Sequence, residues 1–138
     1  MASPSRTTIT IDGTKFDALT ASFSMSTPAD QSGVPVMGGL TSAVDAVVDL
    51  HDTQNLPFGT LKKFFELANV VGKDKFKDMK VEFWQDDNKK DVVCAYSFKG
   101  WISHLKTRSN DTNGNNFLDL SLQPVLDAKN HQEVKISN

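Results

Sequence analysis

The stretch Thr8-Ile9-Thr10-Ile11-Asp12-Gly13 contains the pattern that decides the fold of this chain. Two isoleucines alternate with two threonines, and the Asp-Gly dipeptide that follows favours a tight turn between strands. The alternation resumes in residues 19–26, where four apolar residues are separated by serines and a threonine. Because side chains on a strand point alternately to opposite faces, these residues predict a β-hairpin with one buried face.

The same period-two pattern recurs along most of the remaining chain. Apolar residues alternate with polar ones, and each run has the length of a strand. The runs are residues 44–51, 79–83, 92–102 and 118–123, followed by a short one at 134–136. Six or seven antiparallel strands with little helix predict a mainly β fold. We predict that the strands close into a small antiparallel β-barrel, because closure removes exposed sheet edges.

One segment, at about residues 60–71, breaks this rhythm. Four of its apolar residues recur at the spacing of one helix face, with a proline shortly before the segment and a glycine after it. An amphipathic helix must bury its apolar stripe, and the nearest apolar surface is the sheet. We therefore predict one α-helix packed on the outside of the barrel, with these residues turned inward: Leu61, Phe64, Phe65 and Ala68.

The longest stretch without a period is residues 27–40. It contains two prolines and three glycines, together with apolar residues that include Val34, Val36 and Met37. Loops of this length inside a compact domain are uncommon and often functional. Two interpretations stand: a surface loop that packs on itself, or an apolar excursion that contacts a partner.

Composition places the chain among ordinary globular proteins. Its 138 residues are sufficient for a single domain, expected to span residues 1–138. Seventeen acidic and fifteen basic residues give a formal charge of −2, which argues against a general nucleic-acid binder. No run approaches the roughly 20 apolar residues of a membrane helix, so membrane insertion is not expected. Residues 1–13 lack the basic-then-apolar order of a secretory signal.

No pattern in the sequence predicts a catalytic, metal or cofactor site. Cys94 lies on the apolar face of its run, which favours a buried, inert thiol over a nucleophile. The three histidines, His51, His104 and His131, have no metal-ligand spacing to one another or to the cysteine. We therefore expect a protein that is not an enzyme and needs no cofactor.

The order of these features also matches a known arrangement. In sequence they are residues 8–13, a strand around Ser22-Phe23-Ser24, the long loop ending in Gly38-Gly39, a strand at 45–49, the helix, and strands at 79–84, 96–103 and 116–125. This order resembles the haemolysin-coregulated protein (Hcp) family, the inner-tube proteins of the bacterial type VI secretion system. The resemblance covers about residues 7–136 and is a pattern of elements, not a catalytic signature. The tail, residues 127–138, departs from it, which leaves the role of the tail open.

The resemblance implies a structural subunit that assembles into hexameric rings, with the rings stacked into a tube. It also implies partners: a contracting sheath, a spike at the tip, and effector proteins carried in the lumen. The protein is then cytoplasmic at first and later secreted without a signal peptide. In the family the long loop reaches an adjacent ring, which assigns ring stacking to five residues here: Val34, Val36, Met37, Gly38 and Gly39.

Two other functions stay open at the level of sequence. A tail-tube subunit of a phage, or of another contractile injection machine, needs the same subunit geometry. A small ligand-binding or enzymatic β-barrel belongs to a different class. It needs a pocket with converging polar groups, which no pattern in this sequence indicates.

Overall fold

The computed structural model describes residues 7–36, 41–69, 72–86, 89–110, 114–125 and 134–137. Within these ranges the chain is mainly β and forms eight strands and one α-helix. In chain order the elements are β1 Thr7–Ile11, β2 Thr14–Asp17, β3 Thr20–Ser26, β4 Thr41–Asp49, α1 Phe58–Ala68, β5 Lys77–Trp84, β6 Val92–Asn110, β7 Asn115–Pro124 and β8 Val134–Ser137.

The strands form one antiparallel sheet in the order β2-β1-β5-β6-β7-β4-β3, and β8 pairs with β6. The prediction of an antiparallel β fold with one helix is confirmed. In the described residues the path of paired strands does not close, since β2 and β3 lie at its two ends. A backbone link joins those ends: Ala18 donates its N–H to the carbonyl of Thr7 at 3.2 Å, and Leu19 to that of Val47 at 2.8 Å. The two ends of the sheet are therefore adjacent in space, joined by this link instead of by a strand ladder.

The Asp12-Gly13 dipeptide forms the predicted turn, but it joins different strands from those expected. Both residues have positive φ, 51° and 81°, as a two-residue hairpin turn requires. The turn connects β1 to β2, with Ile9 opposite Phe16, whereas β3 pairs with β4. The sequence interpretation missed β2 because this four-residue strand has a single apolar side chain and therefore no visible alternation.

The core comes from the alternating runs, whose apolar residues line the inner face of the sheet. The side chains with at most 1% exposure on the strands include Ile9, Ile11, Val44, Val48, Val81, Ile102, Leu118, Leu120 and Leu122. An aromatic cluster lies beside them. The rings of Phe23 and Tyr96 stack with centroids 4.1 Å apart, and Phe83 meets Tyr96 edge-on at 6.0 Å. Because Phe23 belongs to β3 and its partners to β5 and β6, this cluster connects distant strands of the sheet.

Helix α1 packs on the sheet as predicted, but its buried face is centred one position away from the expected one. Phe64 is fully buried and its ring lies 5.2 Å from that of Phe16, while Leu67 is 7% exposed. Phe65, predicted to point inward, is 56% exposed. At about 100° per residue, the buried stripe leaves Phe65 to one side, on the same outer face as Phe58. The helix begins at Phe58, two residues earlier than predicted, and ends at Ala68.

Strand β6 is long because it serves two parts of the sheet. Its first half pairs with β5 and β8, and its second half pairs with β7. A bulge between Ile102 and His104 shifts the register. At Gly100 a Cβ would lie 2.6 Å from the carbonyl oxygen of Gln123 and 2.7 Å from the ring of Phe98. Glycine is therefore required for the close approach of β7 and of the Phe98 ring.

Candidate assembly surfaces

The long loop between β3 and β4 is more ordered than its lack of a period suggests. Residues 28–36 fold back on themselves. Val36 donates its N–H to the carbonyl of Pro28 at 2.8 Å, and Ala29 and Pro35 form an isolated β-bridge. We call residues 28–36 the loop hairpin.

The tip of the loop hairpin is built around Asp30. One carboxylate oxygen, Oδ1, accepts the N–H groups of Ser32 and Val34, both at 2.9 Å. The backbone N–H of Asp30 donates a hydrogen bond to the carbonyl of Val34, also at 2.9 Å. Gly33 completes the turn with a φ of 83°, a conformation that favours glycine. The turn chemistry of a single aspartate thus fixes the shape of this excursion.

The loop hairpin presents two of the five residues that the sequence assigned to ring stacking. Val34 is 55% exposed and Val36 is 43% exposed. The other three, Met37, Gly38 and Gly39, lie outside the described residues. The two exposed valines on this hairpin are available for contact with a partner. Their role in stacking stays a prediction.

The β3 edge, from Thr20 to Ser26, is an open strand edge without protection. One side of β3 pairs with β4, and no described strand pairs with the other. The strand contains no charged residue, no proline and no bulge, and Met25 is 57% exposed. Natural sheets usually guard such an edge or cover it, because an unguarded edge recruits another strand.

The opposite end of the sheet, at β2, is closed by a side chain. The amide of Asn55 forms two hydrogen bonds with the backbone of Asp17: its Oδ1 accepts the N–H at 2.6 Å, and its Nδ2 donates to the carbonyl at 2.8 Å. Asn55 thus imitates the next strand at this position. The backbone N–H of Asn55 donates a hydrogen bond to the carboxylate of Asp52 at 3.2 Å, which holds Asn55 in place.

Sequence reasoning missed Asn55, because nothing local marks an asparagine that pairs with a backbone 38 residues away. The other open edges in the described chain are protected differently. The second half of β6 carries Lys106 and Arg108, while β8 has four residues and includes Lys135. Lysine and short length both discourage strand addition, so β3 is the unguarded edge among those described.

A polar network surrounds the closed edge. Asp17 is held by the ammonium of Lys89, and its Oδ1 accepts the hydroxyl of Thr8 at 2.9 Å. That hydroxyl in turn accepts the indole N–H of Trp84 at 3.0 Å. Trp84 therefore anchors β5 to this network through its indole N–H.

A cleft of about 700 Å³ lies on the outer face of the sheet and is lined by lysines. Lys80 and Lys135 flank Ser97 in one row across β5, β6 and β8, and Lys99 follows two residues along β6. Lys80 forms a long ion pair with Glu82, whose Oε2 lies 3.8 Å from the ammonium nitrogen. Asp78 is the one acidic residue in the lining of the cleft. We call this cleft, with its three lysines, the cationic cleft.

The described residues contain no group of three or more side chains able to hold a metal ion.

Cys94, predicted to be buried, is partly exposed. Its hydrogen bond with Tyr96 raises the pKa of the phenol, and burial raises it further. Tyr96 therefore stays neutral near pH 7 and supplies no base to the thiol. Of the predicted isolated histidines, His51 lies in the turn after β4, His104 lies on β6, and His131 lies outside the described residues. Among the described residues no helix has the length and apolar character to span a membrane.

The structure is similar to solved structures of Hcp proteins over almost its whole length. It matches Hcp1 from Flavobacterium johnsoniae with a TM-score of 0.61 and 15% identity, covering 95% of this chain and 94% of that one. It matches a second crystal structure of an Hcp protein with a TM-score of 0.51 and 8% identity, covering 96% and 98%. No protein-family model and no curated protein matches the sequence. The arrangement of strands and helix in this chain is therefore an Hcp-like fold.

Proposed function

We propose that this protein is a structural subunit of the inner tube of a type VI secretion system. The observation that carries the proposal is the Hcp-like fold, which extends over 95% of the chain and leaves little of it for another function. In this proposal six copies form a ring, rings stack into a tube, and effectors travel in the lumen. A sheath and a spike act on the tube, which leaves the cytoplasm when the machine fires. The protein has no catalytic role.

The β3 edge supports lateral contact between subunits. An unguarded strand of seven residues gains backbone hydrogen bonds when a strand of a neighbouring copy pairs with it. The β2 edge is occupied by Asn55 and is not free for the same contact. A contact that uses unlike surfaces on the two partners is heterologous, and heterologous contacts close into rings when the rotation permits.

The loop hairpin supports contact between rings. It extends from the sheet on a frame held by Asp30, and it presents Val34 and Val36 to solvent. In this proposal they stack rings together with Met37, Gly38 and Gly39. The sheet does not depend on these valines for its core, because neither belongs to the buried cluster.

Mass measurement and electron microscopy of the purified protein test the proposal. We expect a species near six times 15.2 kDa at micromolar concentration, and six-fold rings with a central hole in images. A monomer at every concentration and salt condition overturns the proposal.

A further inference from the structure

The cationic cleft is centred on Ser97, which has a lysine on three sides. Lys80 of β5 and Lys135 of β8 lie directly opposite Ser97 in the strand register. Lys99 lies two residues further along β6 and therefore on the same face. Neighbouring strands are about 4.8 Å apart, and alternate residues of one strand about 7 Å apart, so the three long side chains can meet above Ser97.

The positive charge of the three lysines is only partly compensated. Asp78 lies opposite Lys99, but the two do not form an ion pair. Lys99 and Lys135 are exposed, and neither pairs with a carboxylate of a described residue. Lys80 has its one long ion pair with Glu82, which lies outside the lining. Like charges this close repel one another, which favours an anion bound among them.

A hydroxyl beside the lysines lacks a hydrogen-bond partner. Thr10 of β1 lies opposite Lys80 in the same row and lines the cleft. Its Oγ1 is buried, and no described residue forms a hydrogen bond with it. An unpaired buried hydroxyl is costly, so a ligand oxygen that accepts the Thr10 O–H gains a hydrogen bond and removes that cost.

The other part of the cleft is apolar. Phe76 and Val125 line it, and the methylene stems of the lysines add apolar surface while their ammonium groups reach water. Phe76 precedes Lys80 by four residues, a distance of about 13 Å along an extended chain. A ligand that fills both parts therefore carries its charge at one end of an apolar body. The volume of about 700 Å³ is sufficient for such a molecule.

We propose that the cationic cleft binds a small amphipathic anion with one carboxylate head and one unbranched apolar tail, as in a medium-chain fatty acid. The head lies over Ser97 among the three lysines and accepts the Thr10 hydroxyl, and the tail lies along Phe76 and Val125. Three lysines against the two nearby carboxylates, Asp78 and Glu82, leave one positive charge, which matches a monoanion. The site lies within one copy, so it goes beyond the proposed tube function and does not depend on assembly.

Isothermal titration calorimetry of the purified protein with sodium decanoate tests the site. We expect saturable binding of one decanoate per chain. Octanoate should bind about tenfold more weakly, because each methylene group buried in an apolar site strengthens binding by about fourfold at most. Acetate lacks the tail and decanol lacks the charge, so both should also bind at least about tenfold more weakly than decanoate.

A double variant, Lys80→Gln and Lys135→Gln, removes two of the three ammonium groups and should weaken decanoate binding at least about tenfold. The control, Lys62→Gln and Lys106→Gln, has the same net charge but changes exposed lysines on α1 and on the second half of β6, outside the lining. It should bind decanoate like the parent protein. Circular dichroism checks that both variants are folded.

Thr10→Val keeps the shape of the side chain and removes the hydroxyl. Because the hydroxyl has no partner in the ligand-free protein, the midpoint of chemical denaturation should stay unchanged or rise. Decanoate binding should nevertheless weaken about fivefold, since one hydrogen bond to the head is lost. Unchanged decanoate binding in Thr10→Val would contradict the position of the head.

The inference is overturned if decanoate shows no saturable binding, or binds only at concentrations at which it forms micelles. It is also overturned if acetate or decanol binds as tightly as decanoate, or if the double variant of the cleft binds like its control. The mass of the assembled protein, which tests the tube proposal, is measured without decanoate, so the two proposals fail independently.

Discussion

The two end strands of the sheet, β2 and β3, follow each other in the chain, but one presents a closed edge and the other an open edge. β2 is four residues long, its backbone is paired with the amide of Asn55, and helix α1 covers it through the contact of Phe64 with Phe16. β3 is seven residues long, uncharged, and free on one side in the described structure. The difference gives the subunit one closed edge and one open edge, and so a direction for assembly.

Removal of Phe64 should have the largest effect, because it opens the closed end of the sheet. Phe64 is fully buried, and truncation of a buried phenylalanine costs about 3–5 kcal/mol. We expect Phe64→Ala to lose most of its free energy of unfolding, measured by chemical denaturation. Phe65→Ala is the matched control, and its cost should stay below about 1 kcal/mol since Phe65 is mainly exposed.

Similar losses in the two phenylalanine variants would contradict the orientation of the helix. The neighbouring pair is a strict test, because the two side chains are chemically identical and differ only in the face that they occupy.

Substitution of Asn55 should have an intermediate effect. Asn55→Ala removes two hydrogen bonds to the backbone of Asp17 and leaves that backbone without its partner, at a cost of about 1–3 kcal/mol. It also opens the β2 edge, so we expect irregular aggregates beside the regular assembly. Dynamic light scattering at constant protein concentration detects them. An Asn55→Ala protein with unchanged stability and a single assembled species would mean that Asn55 does not close the edge.

Substitution of the two exposed valines should affect stability least. Val34→Ser and Val36→Ser change side chains outside the core, so the free energy of unfolding should shift by less than about 0.5 kcal/mol. Rings should still form, while stacking should be lost, as electron microscopy measures. Long tubes in this variant would make the loop hairpin an ordinary surface excursion. Monomers would place it in the lateral contact instead.

Much of the fold follows from the sequence because one physical signal, alternation, marks buried strands. Leu118, Leu120 and Leu122 are buried as their spacing predicts, and Asp12-Gly13 turns the chain at the expected position. Hydrophobic periodicity did not identify an element that is very short, and it did not decide which of two adjacent apolar residues on a helix is buried. β2 has one apolar residue, and two adjacent phenylalanines in α1 both fitted helical spacing, although only Phe64 is buried.

The candidate surfaces were less predictable. The loop was visible from its length and composition, but its folding around Asp30 depends on hydrogen bonds within the hairpin. The closure of β2 depends on Asn55, far away in sequence, and the cationic cleft brings together lysines from three strands. Contacts of this kind depend on register, which hydrophobic periodicity alone does not specify.

The central claim is that the open β3 edge joins subunits, and a proline on that edge tests it most directly. Leu50 donates its N–H to Asn116 of β7, so alternation along β4 directs its odd-numbered residues, including Ala43, toward β3. Ser24 lies opposite Ala43 and directs its N–H toward β4, whereas the next residue, Met25, directs its N–H to the open side. Met25→Pro removes that donor without removing a bond to β4, and Met25→Ala keeps it as a matched control. Mass measurement by light scattering at micromolar concentration should find Met25→Pro as a folded species of 15.2 kDa, and the parent and Met25→Ala near six times that mass. If folded Met25→Pro assembles like the parent, subunits do not join through the β3 edge and the account is contradicted.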